Sequence, residues 1–597
     1  MASERRRSLV ILLMTITLSV HLLFVSWNSS PFVDVWPLEG VLWETVVVVI
    51  AIAMLSGILF HNRASIIVPL ITLAFLVVVV PVFKHPNALS IIGPWDSTAH
   101  FSFAKWIIVN GHVDTAGNVF YHDQYGYHPG NGIIPATLSL ISSINLGWSM
   151  SAVLAAIYSA YMLLLLTALK TAEHHVSKKV SIVEVLWLVA IFALAVNLPV
   201  YYIGVDLGYV YVASILCILV KWLNSSEVAP IRTLLTALLI FMGLILTHLS
   251  TAVIVVAYIL ITVTALLITG FLGGTPKFGR SCRGLFLLAV LMIIIFIAYE
   301  IYVDVLLFSG TLQGALHRIY SLYIRELEVA FKVMEVKGVT LMELLQYLAS
   351  CYAKIIIVLG LIFIHTIALL TKWRFLTPGE KTVALLLFAS YPTWLIGWAR
   401  VGGFLSGARA QSVICFLLAL SIALTHKKLY GYLIKKGSLA IPLVLIALGF
   451  VANFGLPFMP TIKGGEDLYT YTTFSQGGFS DYALHPVVYI SSYSTPTSPR
   501  FLCLQPYTAF GLCDLMWHTP RIPRHGATTP EITSPEAIIE IIEKYLGKNI
   551  IIPQPARGRI IPGPIGYHSL YKKPFQFLLE NGNTLIYNNG MYTLFVA

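Results

Sequence analysis

Residues 249–270 read LSTAVIVVAYILITVTALLITG, a run with no charged side chain. A run of this length crosses the roughly 30 Å hydrocarbon core of a bilayer as one helix. Similar apolar runs recur through the first three quarters of the 597 residues, of which 57% are hydrophobic and 11% charged, with a mean hydropathy of +0.82. Soluble proteins carry about a quarter charged residues. The composition therefore predicts a polytopic α-helical membrane protein and excludes an ordinary cytosolic enzyme, a disordered scaffold and a coiled coil.

The apolar runs predict thirteen transmembrane helices and four regions. The spans are centred in 9–27, 41–60, 65–83, 150–170, 181–198, 206–222, 233–247, 249–270, 284–306, 345–371, 381–398, 408–426 and 438–457. Residues 1–83 hold three closely spaced helices, 84–149 a long loop, 150–457 a ten-helix bundle, and 458–597 a tail of domain size.

Basic residues favour alternate connections of this arrangement. Arg5–Arg7, Lys178, Lys179 and the Lys427–Lys428 pair all fall on one side, whereas the other side has far fewer. The positive-inside rule then places the N-terminus in the cytoplasm and the tail outside, in a plasma membrane. The net charge of +11 is thus explained by topology, without a nucleic-acid partner.

The tail predicts a small mixed α/β domain outside the membrane. Helical periodicity covers 535–546, and short strands are expected at 549–552, 584–587 and 591–597, the last two joined at Asn588-Asn589-Gly590. Cys503 and Cys513 lie in this tail, where the compartment could permit a disulfide. Whether they are bridged stays open.

A second external connection, 307–344, alternates apolar and charged residues at helical spacing. This pattern predicts an amphipathic helix, either lying on the outer leaflet or over a cavity mouth, or simply forming a solvated connector.

The position of ionisable residues separates function classes. A proton-coupled transporter needs acidic or histidine side chains deep in the bundle. Here His365 is the clearest mid-span candidate, and it could equally bond a neighbouring helix. The other acidic and histidine residues cluster near the external ends of the spans, which favours a reaction at the outer face.

The densest polar segment is 93–105, Gly-Pro-Trp-Asp-Ser-Thr-Ala-His-Phe-Ser-Phe-Ala-Lys. Gly93-Pro94 ends the preceding element, and Asp96 or Ser97 can cap a following helix. Asp96 and His100 are four residues apart and would share one helical face. They could then cooperate in proton transfer or hold a divalent cation, although Asp96 could also serve only as a helix cap.

Four further residues at external helix ends are candidates for the same site. Asp206 begins a span, where it could complement Asp96. His248 occupies a helix–helix turn, either as a ligand-facing donor or as a satisfied turn residue. Arg400 and Arg409 flank a glycine-rich turn, where an arginine could grip a phosphate or extend to the lipid headgroups.

This arrangement resembles the GT-C superfamily of polyprenyl-phosphate-dependent glycosyltransferases, which includes protein O-mannosyltransferases, aminoarabinose transferases and oligosaccharyltransferase catalytic subunits. The resemblance rests on Trp95-Asp96-(x)3-His100, on Ala104 and Gly111, on Tyr127-His128-Pro129 before a short helix at 133–146 that ends at Gly147-Trp148-Ser149, and on the closing strand pair of the tail.

The resemblance implies an inverting transfer of a sugar from a polyprenyl-phosphate (dolichyl-phosphate) donor, held among membrane lipids, to a protein, glycan or lipid acceptor. It implies Asp96 as the catalytic acid, assisted by His100, and Asp206 as the second acidic group. Arg400 or Arg409 would meet the donor phosphate, and Tyr127, His128 and His248 are possible substrate contacts. Some branches hold a divalent metal (Mg or Mn) between such acids, and others do not.

Two features depart from that superfamily. The acidic loop follows the third span rather than the first, and the tail has no Trp-Trp-Asp-Tyr-Gly motif, which argues against transfer to Asn sequons. A transporter or lipid-linked sugar flippase is the main alternative, and a non-catalytic membrane scaffold is a further one.

Overall fold

The structure is a computed structural model, and it describes the helical bundle together with short pieces of the tail. The described residues are 13–23, 45–55, parts of 68–76, 96–113, 128–173, 182–195, 204–224, 231–273, 276–303, 357–398, 407–434, parts of 441–445, 462–464, 467–469, 501–503, 539, 543, 549–553, 576–580, 584–588 and 592–596.

Thirteen labelled helices account for most of this length. They are α1 (Leu13–Leu23), α2 (Thr45–Leu55), α3 (Asp96–Asn110), α4 (Gly130–Ser142), α5 (Leu146–Glu173), α6 (Ile182–Ala195), α7 (Gly204–Asn224), α8 (Ile231–Thr247), α9 (Leu249–Gly273), α10 (Pro276–Val303), α11 (Ile357–Thr371), α12 (Pro378–Trp398) and α13 (Gly407–Ile434). The predicted helix at 133–146 corresponds to α4, which begins three residues earlier and ends at Ser142. There Ser143 adopts a left-handed conformation with φ of 57°, which stops the helix.

Helix α13 forms the centre of the bundle. It packs against α12 and α6 most extensively and also against α5, α7 and α9. Its residues 412–423 are all buried, and the ring of Phe416 meets Tyr161 of α5 edge to face at 6.0 Å. Because this stretch is apolar on every side of the helix, its side chains are buried only when other helices surround it.

Five helical segments of the described chain have the length and apolarity to cross a membrane. They are Leu146–Ala172, Leu207–Asn224, Leu249–Ile268, Arg283–Ile301 and Ser412–Tyr430, and α1, α2, α8 and α11 are shorter apolar helices. The protein is therefore a helical, multi-pass membrane protein. The total of thirteen spans stays a prediction.

The described parts of the tail contain six short strands. Two of them, Ile462–Gly464 (β1) and Asp467–Tyr469 (β2), pair with each other. The other four are Phe501–Cys503 (β3), Asn549–Pro553 (β4), Thr584–Asn588 (β5) and Tyr592–Val596 (β6), in the order β3-β4-β6-β5. The strands predicted at 549–552, 584–587 and 591–597 are confirmed, and the last two form an antiparallel hairpin.

Strand β3 pairs in parallel with β4 and was not predicted from the sequence. Three tail and loop predictions fall largely or wholly outside the described residues. They are the 535–546 helix, of which only Ile539 and Glu543 are described as helical, the Cys503–Cys513 bridge, since Cys513 is not described, and the amphipathic segment 307–344.

Candidate functional site

One end of the bundle, called the basic end, is held by ion pairs between helix termini. Lys427 Nζ of α13 lies 2.8 Å from Glu184 Oε1 of α6, and Lys428 Nζ lies 2.6 Å from Glu380 Oε2 of α12. Glu380 also accepts a hydrogen bond of 2.7 Å from the amide of Thr377, which caps α12. The first turns of α6 and α12 and the last turns of α13 thus meet at one end of the bundle.

The opposite end, called the histidine end, is built around the corner between α8 and α9. His248 occupies this corner, and its amide donates to the carbonyl of Leu244 at 2.7 Å. Its Nδ1 lies 2.7 Å from Thr251 Oγ1 and 3.4 Å from Ser250 Oγ, so the imidazole is held by hydroxyl groups of the first turn of α9. The turn-histidine interpretation accounts for these contacts, and a ligand-facing role for His248 stays a prediction.

The first turns of α7 lie against this corner. Gly208 approaches so closely that a Cβ built there would lie 3.4 Å from the His248 Cβ and 3.5 Å from Thr251 Oγ1. Asp206, the third residue of α7, is therefore within one turn of the corner, although its side chain lies outside the described residues.

The segment 128–131 closes the carbonyl end of α8. His128 Nδ1 donates to the carbonyl of Ile245 at 2.6 Å, and Asn131 Nδ2 donates to the carbonyl of Thr247 at 2.7 Å. Carbonyls in the last turn of a helix have no partner within the helix, so these side chains supply one. The space between them is filled by Gly130, where any Cβ would press on the carbonyl of Leu246.

Helix α10 reaches the same place with an acidic residue. Glu300 Oε1 lies 3.9 Å from His128 Nε2, and both side chains are buried. The ring of Tyr299 is tilted against the His128 ring at a centroid distance of 5.8 Å. Burial lowers the pKa of His128, while its hydrogen bond to Ile245 acts in the opposite direction. The His128 ring therefore links three elements at the histidine end.

Helix α3 carries the leading catalytic candidate. Asp96 is its first residue, and the helix places Asp96 and His100 on a common face as predicted. His100 is 2% exposed, and this burial lowers its pKa to about 4, so that it is neutral near pH 7. The Asp96 side chain lies outside the described residues, so its contact with His100 stays a prediction.

The remaining candidates are only partly described. Arg409 is the third residue of α13, and because the other end of α13 holds Lys427 at the basic end, Arg409 begins the helix at the histidine end. Its side chain, together with Tyr127 and Arg400, lies outside the described residues.

Sequence reasoning missed Glu300, Asn131 and Thr251. Glu300 carried a usable signal, since it is the only charged residue between 284 and 303. An acidic side chain in an apolar helix is costly and usually has a specific partner. Asn131 and Thr251 gave no such signal, because polar residues near helix ends are common.

His365, the mid-span candidate for a transport role, is hydrogen-bonded within the bundle. Its Nδ1 forms a 2.9 Å hydrogen bond with the hydroxyl of Tyr430, and its Nε2 a 2.8 Å bond with Ser421 Oγ. Both partners belong to α13, which confirms the bond to a neighbouring helix. Both ring nitrogens are engaged within the bundle, which gives no support to a transport role for His365.

A metal would need several converging ligands. Within the described part of the chain, no group of three or more His, Cys, Asp or Glu side chains is arranged to hold one. The acidic candidates Asp96 and Asp206 have side chains outside that part, so a divalent ion between them stays a prediction.

No protein-family model and no curated protein matches this chain. Among solved structures, it is similar to the oligosaccharyltransferase of Archaeoglobus fulgidus, which was crystallised with a tethered acceptor peptide containing the NVT sequon. The similarity covers 83% of this chain and 70% of that chain, at 12% sequence identity and a TM-score of 0.44. A similarity at this level does not establish a common fold or activity.

Proposed function

We propose that this protein is a GT-C type glycosyltransferase that moves a sugar from a polyprenyl-phosphate donor to an acceptor at the histidine end of the bundle. The observation that supports this most directly is the placement of α7 and α13. Asp206 and Arg409 begin these helices at the end of an apolar bundle that also holds the half-buried His248 and the buried His128 and Glu300. A membrane protein with its acidic and cationic groups gathered at one face is suited to a lipid substrate whose reactive phosphate lies at that face.

The donor would place its chain in the lipid and its phosphate near the first turn of α13. An arginine presents a fork of N–H donors that matches phosphate oxygens. Arg409 or Arg400 would therefore stabilise the charge that develops on the leaving phosphate. A well-placed donor of this kind contributes about 3–4 kcal/mol to the transition state.

Asp96 would act as the general base. The acceptor hydroxyl transfers its proton to the Asp96 carboxylate while its oxygen bonds to the anomeric carbon. The bond from that carbon to the phosphate oxygen breaks, and the electron pair leaves with the phosphate. One displacement of this kind inverts the anomeric configuration.

His100 would position Asp96 rather than exchange charge with it. Its lowered pKa, which results from burial, keeps the ring neutral at physiological pH. A neutral imidazole can donate one hydrogen bond to a carboxylate without neutralising it. Asp206 would supply the second acidic group, and with Asp96 it would hold any divalent Mg or Mn, which would supply positive charge near the donor phosphate.

We further propose that the basic end faces the cytoplasm and the histidine end faces outward from a plasma membrane. The N-terminus would then be cytoplasmic, and residues 458–597 would form an external domain near the acceptor, which could be a protein, a glycan or a lipid. The concentration of Lys and Arg at the basic end supports this orientation.

The test is donor consumption by the purified protein. It is supplied with a pool of polyprenyl-phosphate sugars and an acceptor extract, with and without Mg²⁺ or Mn²⁺. Asp96→Asn should abolish consumption while the protein stays folded, because Asn cannot accept the proton. Glu580→Gln, which changes an exposed acidic residue of the tail in the same way, should behave as wild type.

Turnover by Asp96→Asn at the wild-type rate would contradict the assignment of the base. If wild type moves the intact lipid-linked sugar across vesicles without cleaving it, the protein is a flippase and the glycosyltransferase proposal fails.

A further inference from the structure

The connection between α11 and α12 carries two cations and an exposed aromatic ring. Residues 372–377 read Lys-Trp-Arg-Phe-Leu-Thr, and the side chains of Lys372 and Arg374 are exposed. Phe375 is 71% exposed. The connection lies at the basic end, because Lys428 Nζ of α13 donates to the carbonyl of Phe375 at 3.4 Å and also contacts Glu380. The Phe375 ring is thus surrounded by cations, beyond the ends of both helices.

The backbone of this connection is fixed, so the exposure of Phe375 does not result from a loose loop. The amide of Phe375 donates to the carbonyl of Lys372 at 2.9 Å, which closes one turn of 3₁₀ helix. The ring of Trp373 stacks on Phe388 of α12 at a centroid distance of 6.3 Å, and Leu376 is buried. Trp373 and Leu376 therefore anchor the turn to the bundle, while Phe375 between them is held outward.

The two cations of the turn differ from the lysines of α13. Among the side chains that the structure describes, Lys427 and Lys428 form ion pairs with carboxylates, whereas Lys372 and Arg374 form none. Lys372 Nζ instead lies 5.8 Å from the centroid of the Phe375 ring, a cation–π distance. The charge of the turn is therefore directed to an anion outside the bundle.

The position of the turn indicates where that anion comes from. The apolar helix α11 ends at Thr371, one residue before Lys372, so the turn lies at the level of the bilayer surface. Lysine and arginine side chains at this level are attracted to anionic headgroups. Aromatic and apolar side chains beside such cations enter the boundary between headgroups and acyl chains. A free anion in water would contact the cations but would leave the Phe375 ring exposed.

From this geometry we propose that residues 372–375 bind the headgroup of an anionic phospholipid. Lys372 and Arg374 contact the anionic group, and Phe375 enters the glycerol region beside it. Since Lys428 joins the turn to α13, the bound lipid stabilises the centre of the bundle as well as the connection. This site lies at the end opposite to the proposed reaction, and it does not depend on the proposed function.

Thermal unfolding of the full-length protein in a neutral detergent tests this site. Phosphatidylglycerol is titrated into the micelles, and phosphatidylcholine is titrated in parallel. A ligand that binds only the folded state raises the melting temperature in a concentration-dependent way. We expect a saturable rise with phosphatidylglycerol and none with phosphatidylcholine. Equal responses to the two lipids would overturn the proposal, and so would no response to either.

Lys372→Gln combined with Arg374→Gln tests the two cations. Each basic residue near an anionic surface contributes about fivefold to binding, so the half-maximal lipid concentration should rise about thirtyfold. Lys170→Gln combined with Lys221→Gln is the matched control, because it removes two exposed lysines from the same end of the bundle. This control should titrate as wild type. An equal loss in the control would show that diffuse charge attracts the lipid, and it would overturn the site.

Phe375→Ala tests the aromatic ring separately. Because the ring is mostly exposed in the protein alone, this variant should melt as wild type in phosphatidylcholine. It should bind phosphatidylglycerol about tenfold more weakly, since the ring loses its burial among lipids. About 0.5 M NaCl should weaken binding in Phe375→Ala as much as in wild type, but less in the variant that lacks both cations. Wild-type affinity in Phe375→Ala would contradict the proposal.

Two soluble probes distinguish the lipid from other anions. Sodium phosphate and a poly-glutamate peptide are each titrated in place of the lipid, and neither should raise the melting temperature. A rise with sodium phosphate equal to that with phosphatidylglycerol would assign the turn to a free anion. A rise with poly-glutamate alone would assign it to an acidic segment of a protein. Either result would overturn the lipid site while leaving the proposed function untouched.

Discussion

The ring of Phe103 on α3 lies directly on the Cα of Gly132 on α4, in space that a side chain at position 132 would occupy. This contact sets the distance between the helix that begins with Asp96 and the segment that caps α8. Because Gly132 has no Cβ, the two helices can approach each other closely. The distance of Asp96, the proposed catalytic residue, from the bundle therefore depends on glycine at position 132.

Substitution of Gly132 by alanine should separate the two helices. The methyl group must displace the Phe103 ring, and overpacking of this kind costs about 1–3 kcal/mol. We expect a lower melting temperature in detergent together with a larger loss of donor turnover. Gly360→Ala is the matched control, because a Cβ at position 360 meets no atom within 4 Å and alanine favours a helix. Equal effects of the two substitutions would contradict this account.

His100 should make the protein sensitive to acid. The pKa of this buried histidine falls from 6.5 to about 4 in the folded state, because burial disfavours its charge. Between these values the unfolded chain binds a proton that the folded chain does not, so stability is lost as the pH falls from 6.5 towards 4. The full difference is on the order of 3 kcal/mol.

Thermal unfolding at pH 7 and pH 4.5 measures this dependence. His100→Gln cannot titrate, so its melting temperature should fall less between the two pH values than that of wild type. His112→Gln, which changes an exposed histidine two residues after the end of α3, should retain the wild-type fall. A full acid response in His100→Gln would show that another group is responsible.

The ion pair at the basic end should contribute to stability. Glu184 has a side chain that is 3% exposed, whereas Lys427 is 42% exposed, so solvent screens the lysine more than the carboxylate. Lys427→Ala leaves that carboxylate buried without its cation, which should cost about 1–3 kcal/mol. Chemical denaturation in detergent checks the value. Lys170→Ala, which removes an exposed lysine from the same end of the bundle, should have no measurable effect.

Orientation can be tested by cysteine labelling in intact cells. In a background that lacks the 6 native cysteines, Ile144→Cys reports on the histidine end and Lys170→Cys on the basic end. Both positions are exposed. A membrane-impermeant maleimide should label only Ile144→Cys, because the basic end faces the cytoplasm in our proposal. Labelling restricted to Lys170→Cys would reverse the orientation.

The elements with strong local patterns were predictable. The helices α5 to α9 appear within a few residues of their predicted spans, and β5 and β6 pair on either side of the turn signal Asn588-Asn589-Gly590. Strand β3 was not predictable in this way, since three residues carry too little periodicity and their partner β4 lies far along the chain.

In the candidate site, too, placements within one helix could be predicted from the sequence, whereas contacts between distant segments could not. Asp96 and His100 are four residues apart in one helix, so their shared face follows from the sequence. Glu300 could be noticed as a lone acidic residue, but not assigned a partner. His128 and the carbonyl of Ile245 are 117 residues apart, and only packing brings them to 2.6 Å.

The sequence by itself determined that this chain is a helical membrane protein, and it indicated which residues belong to which end of the bundle. Hydrophobic length and charge decide these properties residue by residue, because a bilayer responds to each segment separately. The tertiary structure alone decided that His128 caps α8, that Glu300 faces His128 and that Gly132 receives Phe103. Such contacts depend on how helices distant in sequence pack, and the sequence pattern within one helix specifies which face is apolar but not which helix will cover it.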